Sequence, residues 1–559
     1  MKEKLDVAIL GGGLAGLTLA RQLRLNNKSL KIAIFEKKEV IDDWKVGEAT
    51  VEISSNYFCR RLNLTNYLYR SHLPKNGLRY FFDSEKKDLK IEEMSEIGTS
   101  GFPEHPSFLI DRIVFERDLI KMNEDDGIKV FLGHTISEFQ EGEDKHTFKS
   151  ISTEKKEERF ESKWVIDATG RGKFLHKKIG VKTTRENRLN TSAVWGRFSN
   201  LKDIDKDGDP KWKDRVNHSP RMMATMHFMY EGYWIWVIPV DEEVFSIGVV
   251  FDKDIVKEKI NVKNFFEFLK KHKSLQDMLV DSEMLDCKGY GHIPYYADQY
   301  FFKNRLAVTG EAGAFTDPFY SPGSDFIAIS NDIIAKLIEL DLNSEDQLFD
   351  TSVEMYNEFY QDRYERTIRL YSDNYKYFGC FNLLSKKYFL DLCHYYNLYL
   401  WSYMNDHHLE PKYIKKFLLE RSIADKINQW QETLLEELYS YFKNNNLIGA
   451  QNKGEFNNVS RSTSRIFDLL IHPYCEKRGQ EFLRETLVMI WLEALDEVYH
   501  SNLKDEKLLM DSLSIPFILK QKNPLSEETF NKLLSKSSKR ATAGELKNVE
   551  FNKVMPGAH

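Results

Sequence analysis

The chain has little sulfur chemistry to offer. Its 559 residues include five cysteines, Cys59, Cys287, Cys380, Cys393 and Cys475. They are scattered without a CxxC pair, which fits neither a disulfide framework nor a zinc site. Long apolar runs are also missing: no stretch has the length needed to span a bilayer, and the amino terminus enters its first strand without a signal-peptide pattern. The expectation is a cytoplasmic protein with no membrane partner. Charge of one sign is absent as well. The 80 basic and 86 acidic residues are mixed along the chain and leave a formal charge of −6, so no nucleic-acid footprint is expected. His394, His407 and His408 lack metal-ligand spacing, and no metal is expected. What is abundant is apolar and aromatic: 42% hydrophobic residues, with 27 Tyr and 37 Phe. That is enough for a large core in two to four domains.

The sharpest local pattern lies at the start. The apolar run Asp6-Val-Ala-Ile-Leu10 leads into Gly11-x-Gly13-Leu14-Ala15-Gly16 and then into the helical pattern of Leu17 to Leu23. In such a strand–turn–helix unit Gly11 makes the tight turn, Gly13 admits backbone to a pyrophosphate, and Gly16 lets helix and strand pack closely. The helix start offers free N–H groups and a positive dipole end to phosphates. A second strand, Lys31 to Phe35, ends in Glu36, placed to accept hydrogen bonds from an adenosine ribose. The pattern predicts a Rossmann-type α/β domain for a dinucleotide.

Further along, β-branched and alternating runs predict strands at Leu78–Phe82, Lys129–Leu132, Val194–Phe198, Trp234–Ile238 and Val244–Val250. Two later units end apolar strands in small residues, where backbone passes close to a ligand: Trp164 to Asp167-Ala-Thr-Gly170, and Leu306 to Gly310-Glu311-Ala312. From Asp325 onward the spacing turns helical, and the last two hundred residues read as helix. The expected organisation is a cofactor domain over 1–335, with a β-sheet substrate region interleaved at about 51–110 and 185–300. A helical domain over 336–559 would cover the substrate pocket.

Taken together, Gly11 to Gly16, Asp167 to Gly170 and Gly310 to Pro318 resemble the FAD motifs of the flavoprotein monooxygenase and flavin-dependent halogenase superfamily. The resemblance covers most of residues 1–335 and implies a glutathione reductase-like FAD fold. It extends the cofactor contacts to Val46-Gly-Glu48-Ala49-Thr50 and Ile110-Asp-Arg112. Glu311 replaces the aspartate usual near the ribityl chain. Trp234-Ile-Trp236-Val-Ile-Pro239 matches the WxWxIP block of the halogenases, and Pro74-Lys75-Asn-Gly77 matches the segment that delivers their active-site lysine. The activity so implied uses FADH2 from a separate flavin reductase, O2 and halide to make hypohalous acid. Lys75 would hold the electrophile, and Trp234 and Trp236 would wall the passage from flavin to an aromatic substrate.

The chain departs from that pattern in the halide turn, where the resemblance assigns Pro318, Ser321, Gly323 and Ser324. Pro322 has no N–H, and a lost charge-assisted hydrogen bond costs about 1.5 to 3 kcal/mol unless Gly323 or Ser324 compensates. Tyr320 stands where tryptophan halogenases carry a glutamate, which points to phenolic, pyrrolic or carrier-bound substrates rather than free tryptophan. Asp325 reads as an N-cap for the helix that follows. The tyrosines and phenylalanines from Tyr356 to Phe378 read as core, and Tyr388 to Trp401 as a wall or lid. Two other functions fit the same residues: a halide-independent FAD monooxygenase, oxidase or desaturase, and a non-catalytic flavin-binding partner.

Overall fold

The computed structural model describes residues 3–459, apart from 104, 207, 217, 218, 445 and 451. The helical expectation for 460–559 lies outside the described residues.

Parallel pairing brings the chain's small-residue turns to one edge. Lys129–Leu132, Ile32–Glu36, Glu3–Leu10 and Glu157–Asp167 lie side by side in that order, all parallel. The carboxyl half of Glu157–Asp167 pairs in parallel with Leu306–Val308, while its amino half pairs antiparallel with His146–Ser152, beside which His134–Gln140 closes the sheet. Leu10 stands opposite Asp167, and Asp167 opposite Val308. The turns after Leu10, Asp167 and Val308, together with Glu36, therefore share the carboxyl edge, where open α/β sheets bind ligands.

The second sheet has eight strands, ordered Glu283–Tyr290, Thr191–Ser199, Val244–Asp252, Tyr233–Pro239, Thr225–Tyr230, Leu78–Phe82, Ser95–Gly98 and Phe456–Asn458. Period-two alternation divides its faces. Tyr80, Phe82, Trp234 and Trp236 pack on one side, and Phe81, Tyr233, Ile235 and Val237 on the other. Gly248 pairs with both Trp195 and Trp236, and a Cβ there would lie 2.2 Å from the Trp236 ring. The glycine makes the seat for that indole.

Two features bear on the expected organisation. The helix Gly323–Leu342 runs unbroken through residue 336. Phe456–Asn458, within the segment read as helical, is a strand that pairs in parallel with Ser95–Gly98. Of the helices between, Asp346–Arg369 packs on the helix Gly323–Leu342, Phe381–His394 on the strand Ser95–Gly98 of the second sheet, and Pro411–Asn444 on the other two.

The helix Gly323–Leu342 docks on the chain's first helix. Asn331 donates to the Ala15 carbonyl and Thr18 Oγ1, and Gln22 donates to Asp332 at 2.6 Å. Two positive helix ends, before Leu14 and before Gly323, are thereby fixed against one cleft.

Candidate active site

The glycines of the first turn divide their work as steric constraints require. Gly11 has φ +116°, and a Cβ there would lie 2.3 Å from the Ala168 carbonyl oxygen. A Cβ at Gly16 would lie 2.1 Å from the Gly11 carbonyl. Gly13 differs: its backbone is extended (φ −89°, ψ −175°), and nothing stands within 4 Å of where its Cβ would be. That open space at a helix start, with no side-chain cap, suits a diphosphate. Glu36 accepts from the Gly12 amide at 2.7 Å and the Lys38 amide at 3.0 Å, which holds its carboxylate at the turn. We expect Gly13→Val to leave the thermal stability of the flavin-free protein unchanged and to weaken FAD binding at least tenfold, as read by fluorescence titration. Equal affinity would mean that the diphosphate lies elsewhere.

Beyond the turn opens a cleft. Leu14, Glu48, Ala49, Arg112, Gly310 and Glu311 line it. Arg112 donates to the Val46 carbonyl at 2.8 Å, Glu48 pairs with buried Arg197 at 2.7 Å, and Glu311 pairs with Arg171 at 3.0 Å. Gly310 takes φ +60°, with Ala15 packed 3.0 Å from its missing Cβ. Two assigned residues play other parts. Asp167 is fully buried, and its oxygens accept from the Thr169 and Leu175 amides, so it folds the loop carrying Gly170 (φ +60°) and does not line the cleft. Ala312 sits within the apolar core.

Trp234 and Trp236 line the same cleft, with Trp195 and His227 beside them. Their indole N–H groups are satisfied by Tyr375 Oη at 3.0 Å and Ser246 Oγ at 3.1 Å, which fixes both rings. Neither reaches the chamber that holds Lys75. The wall is a deeper aromatic stack that sequence reasoning did not identify. His227 lies against Trp234 and stacks on Tyr80 at 4.6 Å, and Phe319 packs on both Trp234 and Tyr320. Burial, with Lys75 nearby, pushes the His227 imidazole down to about 3, so it is neutral.

A second chamber lies behind the stack. Lys75 is only 3% exposed there. Its Nζ donates to the Thr50 carbonyl at 2.7 Å, and its own amide is held by the Ser107 carbonyl. Burial lowers the ammonium to about 8, against the opposing charges of Glu52 and Asp325. Tyr320, Tyr371, Tyr388, Tyr395, Tyr396 and Tyr399 surround it. The lid expected at Tyr388 to Trp401 forms this wall as the end of the helix Phe381–His394 and the π-turn Tyr395–Leu400. Tyr371, from the stripe read as core, faces the chamber as well.

Cleft and chamber meet at the turn 318–325. Tyr320 (φ +66°) and Ser321 (φ +56°) are consecutive left-handed residues, a conformation costing about 1 to 2 kcal/mol at each non-glycine position. Such strain gathers where function requires it. The outcome is a two-sided partition: Pro318, Ser321, Gly323 and Ser324 face the cleft, whereas Tyr320 and Asp325 face the chamber, and Pro322 lines it too. Pro322 is the N-cap of the helix Gly323–Leu342, and the amides of Gly323 and Ser324 have no acceptor among the described residues. Asp325 is no N-cap. It lies within the first turn, fully enclosed, with Oδ1 accepting from the Ser54 amide at 2.9 Å and Oδ2 from Tyr395 Oη at 3.0 Å. Burial raises its carboxyl to about 7, against the nearby charge of Arg363.

Among the described residues no group of three His, Cys, Asp or Glu side chains could hold a metal, and no helix is long and apolar enough to cross a membrane.

Residues 82–377 match the family described as tryptophan halogenase, and residues 9–70 match an NAD(P)-binding Rossmann-like domain. A flavin-dependent halogenase, chlA, of Dictyostelium discoideum is 27% identical over 74% of this chain and 73% of its own. The 1H-pyrrole-2-carbonyl-[peptidyl-carrier protein] chlorinase of Pseudomonas fluorescens is 26% identical over 57% of this chain and 72% of its own. In fold, the halogenase PltM solved with phloroglucinol and FAD superposes with a TM-score of 0.62 at 16% identity, over 90% of this chain and 99% of that one.

Proposed function

Because the chain belongs to the tryptophan halogenase family, we propose that it halogenates an electron-rich aromatic ring, phenolic or pyrrolic, free or carrier-bound, with a separate reductase supplying FADH2. It is an FAD-dependent oxidoreductase of the halogenase type. Support for the substrate class comes from the tyrosine-lined chamber, and from relatives whose names specify pyrrole-2-carbonyl carrier proteins. The observation that carries the reading is the placing of Lys75, buried in a tyrosine-lined chamber that shares the turn 318–325 with the cleft.

When bound, reduced FAD with O2 and halide supplies hypohalous acid. Residues of this chain position that acid and direct its halogen. The amides of Gly323 and Ser324, at a helix start and facing the cleft, hold the halide where Pro322 cannot. Trp234, His227 and Phe319 exclude bulk water from the path. The Lys75 ammonium donates a hydrogen bond to the hypohalous oxygen and, as the oxygen–halogen bond breaks, gives its proton to the departing hydroxide, which leaves as water. Asp325, as carboxylate, accepts the proton that the ring releases when the carbon–halogen bond forms, and transfer of that proton to the Lys75 amine restores both groups.

The direct test is incubation with FAD, a flavin reductase, NADH, O2 and bromide against a panel of phenols and pyrroles. A brominated product is expected. An oxygenated, halogen-free product would support the monooxygenase reading instead. The halide site has its own test. Proline is tolerated in the first helical turn, so Ser324→Pro removes one amide donor while sparing the helix. The loss of about 1.5 to 3 kcal/mol should raise the bromide KM roughly tenfold to a hundredfold, with FAD affinity unchanged. An unchanged bromide KM would place the halide elsewhere.

A further inference from the structure

The chamber holds a cation that neither step uses. Arg363, on the helix Asp346–Arg369, is 5% exposed and lines the chamber with Lys75 and Asp325. Its guanidinium lies 3.5 Å from the centroid of the Tyr399 ring. Nε is buried and has no hydrogen-bond partner. No carboxylate lies within ion-pair distance of Arg363 among the described residues, in contrast to Arg366 one turn on, which donates to Asp362 at 2.7 Å. Asp325 is the charge Arg363 acts on most clearly, yet both its oxygens already accept from Ser54 and Tyr395. Glu52 accepts from Tyr396, and Asp391 accepts from Tyr320 and pairs with Lys387. A buried guanidinium that bonds no carboxylate and leaves Nε without an acceptor is costly unless a ligand completes it.

We propose that Arg363 binds an anionic oxygen carried by the aromatic substrate, a ring carboxylate or an acidified phenolate, and so sets which ring position faces Lys75. This inference rests on the chamber being the substrate site, and extends that reading to a substrate class. Planar, forked donors recognise a carboxylate far better than the corresponding amide, because the charge-assisted bonds and their geometry are both lost in the neutral analogue. Tyr399 beneath the guanidinium holds the fork in place by cation–π contact.

The test is calorimetric titration of the full-length, FAD-loaded oxidised protein, without halide, so that no turnover is required. The probes are 2,4-dihydroxybenzoate, 2,4-dihydroxybenzamide and 2,4,6-trihydroxyacetophenone. The wild type should bind the benzoate at least tenfold more tightly than the amide, or bind the acetophenone at least tenfold more tightly at a pH where it is ionised than where it is neutral. The first result identifies a carboxylate as the source, the second a phenolate. Arg363→Gln should erase whichever preference is found while leaving amide binding within twofold, and Arg363→Lys should restore part of it. Should Arg363→Gln not fold, the wild-type preference and the lysine variant still decide. Equal affinity for charged and neutral probes in the wild type overturns the proposal. So does a variant that weakens benzoate and amide alike, the mark of a packing role. Failure of bromination with these preferences intact would instead count against the halogenase reading alone.

Discussion

Replacing Lys75 by methionine is expected to leave a yellow protein that binds FAD as the wild type does, consumes O2 when its flavin is reduced, and yields no halogenated product. The reason is position. Lys75 touches the Thr50 carbonyl inside the chamber, whereas the cleft is lined by other residues altogether. Product should fall by at least a thousandfold, since no other lysine among the described residues lines the chamber. The substitution should also stabilise the fold. Burial lowers the Lys75 ammonium from 10.5 to about 8. The folded state therefore binds fewer protons than the unfolded chain between those values, and stability rises with pH across that window. Below pH 8 the charge costs the fold about 3 kcal/mol, and methionine removes the cost while leaving the Thr50 carbonyl unpaired. A net gain of about 1 to 2 kcal/mol at pH 7 is expected, read as a higher midpoint in urea for Lys75→Met. Loss of FAD in this variant, or halogenated product at the wild-type rate, would remove Lys75 from the chemistry.

The second large effect belongs to Asp325. A base must be ionised to accept the ring proton, so activity should rise as pH passes about 7, where burial has raised the Asp325 carboxyl. The Lys75 ammonium must be protonated to donate, so activity should fall above about 8. The two groups face one chamber and couple electrostatically, and the limbs of this narrow bell belong to the pair. Asp325→Asn should lower kcat by about a hundredfold to ten-thousandfold and abolish the rising limb while leaving the falling one. The asparagine Oδ1 can still accept from the Ser54 amide while its Nδ2 donates to Tyr395 Oη, so folding should be retained. A rising limb that survives in Asp325→Asn would assign the base to another group.

How much of this was legible in the sequence depends on how local each constraint is. Gly11, Gly13 and Gly16 could be read because their roles are fixed within six residues by backbone geometry and one strand–helix pair. Glu36 followed from the length of one βαβ unit. Lys75 and the two tryptophans were legible only as a resemblance, since nothing near Lys75 in sequence reveals that Ser107, Thr50 and the tyrosines beyond Tyr371 enclose it. Asp325 illustrates the opposite case. The residues before the helix Gly323–Leu342 suggest an N-cap, but the carboxylate is taken by partners 271 and 70 residues away. Asp167 similarly looks like a ligand for a cofactor until the amides of Thr169 and Leu175 are seen to fill it. Arg363 has the spacing of any amphipathic helix, and only its missing carboxylate distinguishes it. The strand Phe456–Asn458 lies in a segment whose sequence reads as helical, and it pairs with the edge Ser95–Gly98.

The turn 318–325 is the feature on which the rest depends. It gives two left-handed residues to separate cleft from chamber, turns free amides toward one side, and turns Asp325 toward the other. The most direct measurement is a crystal structure of the FAD complex soaked in bromide, with data collected at the bromine absorption edge. The account expects the isoalloxazine in the cleft, an anomalous peak within hydrogen-bonding reach of the Gly323 and Ser324 amides, and Lys75 enclosed beyond the aromatic wall. A flavin bound with no bromide beside those amides at saturating concentration, or Lys75 open to solvent, would contradict it.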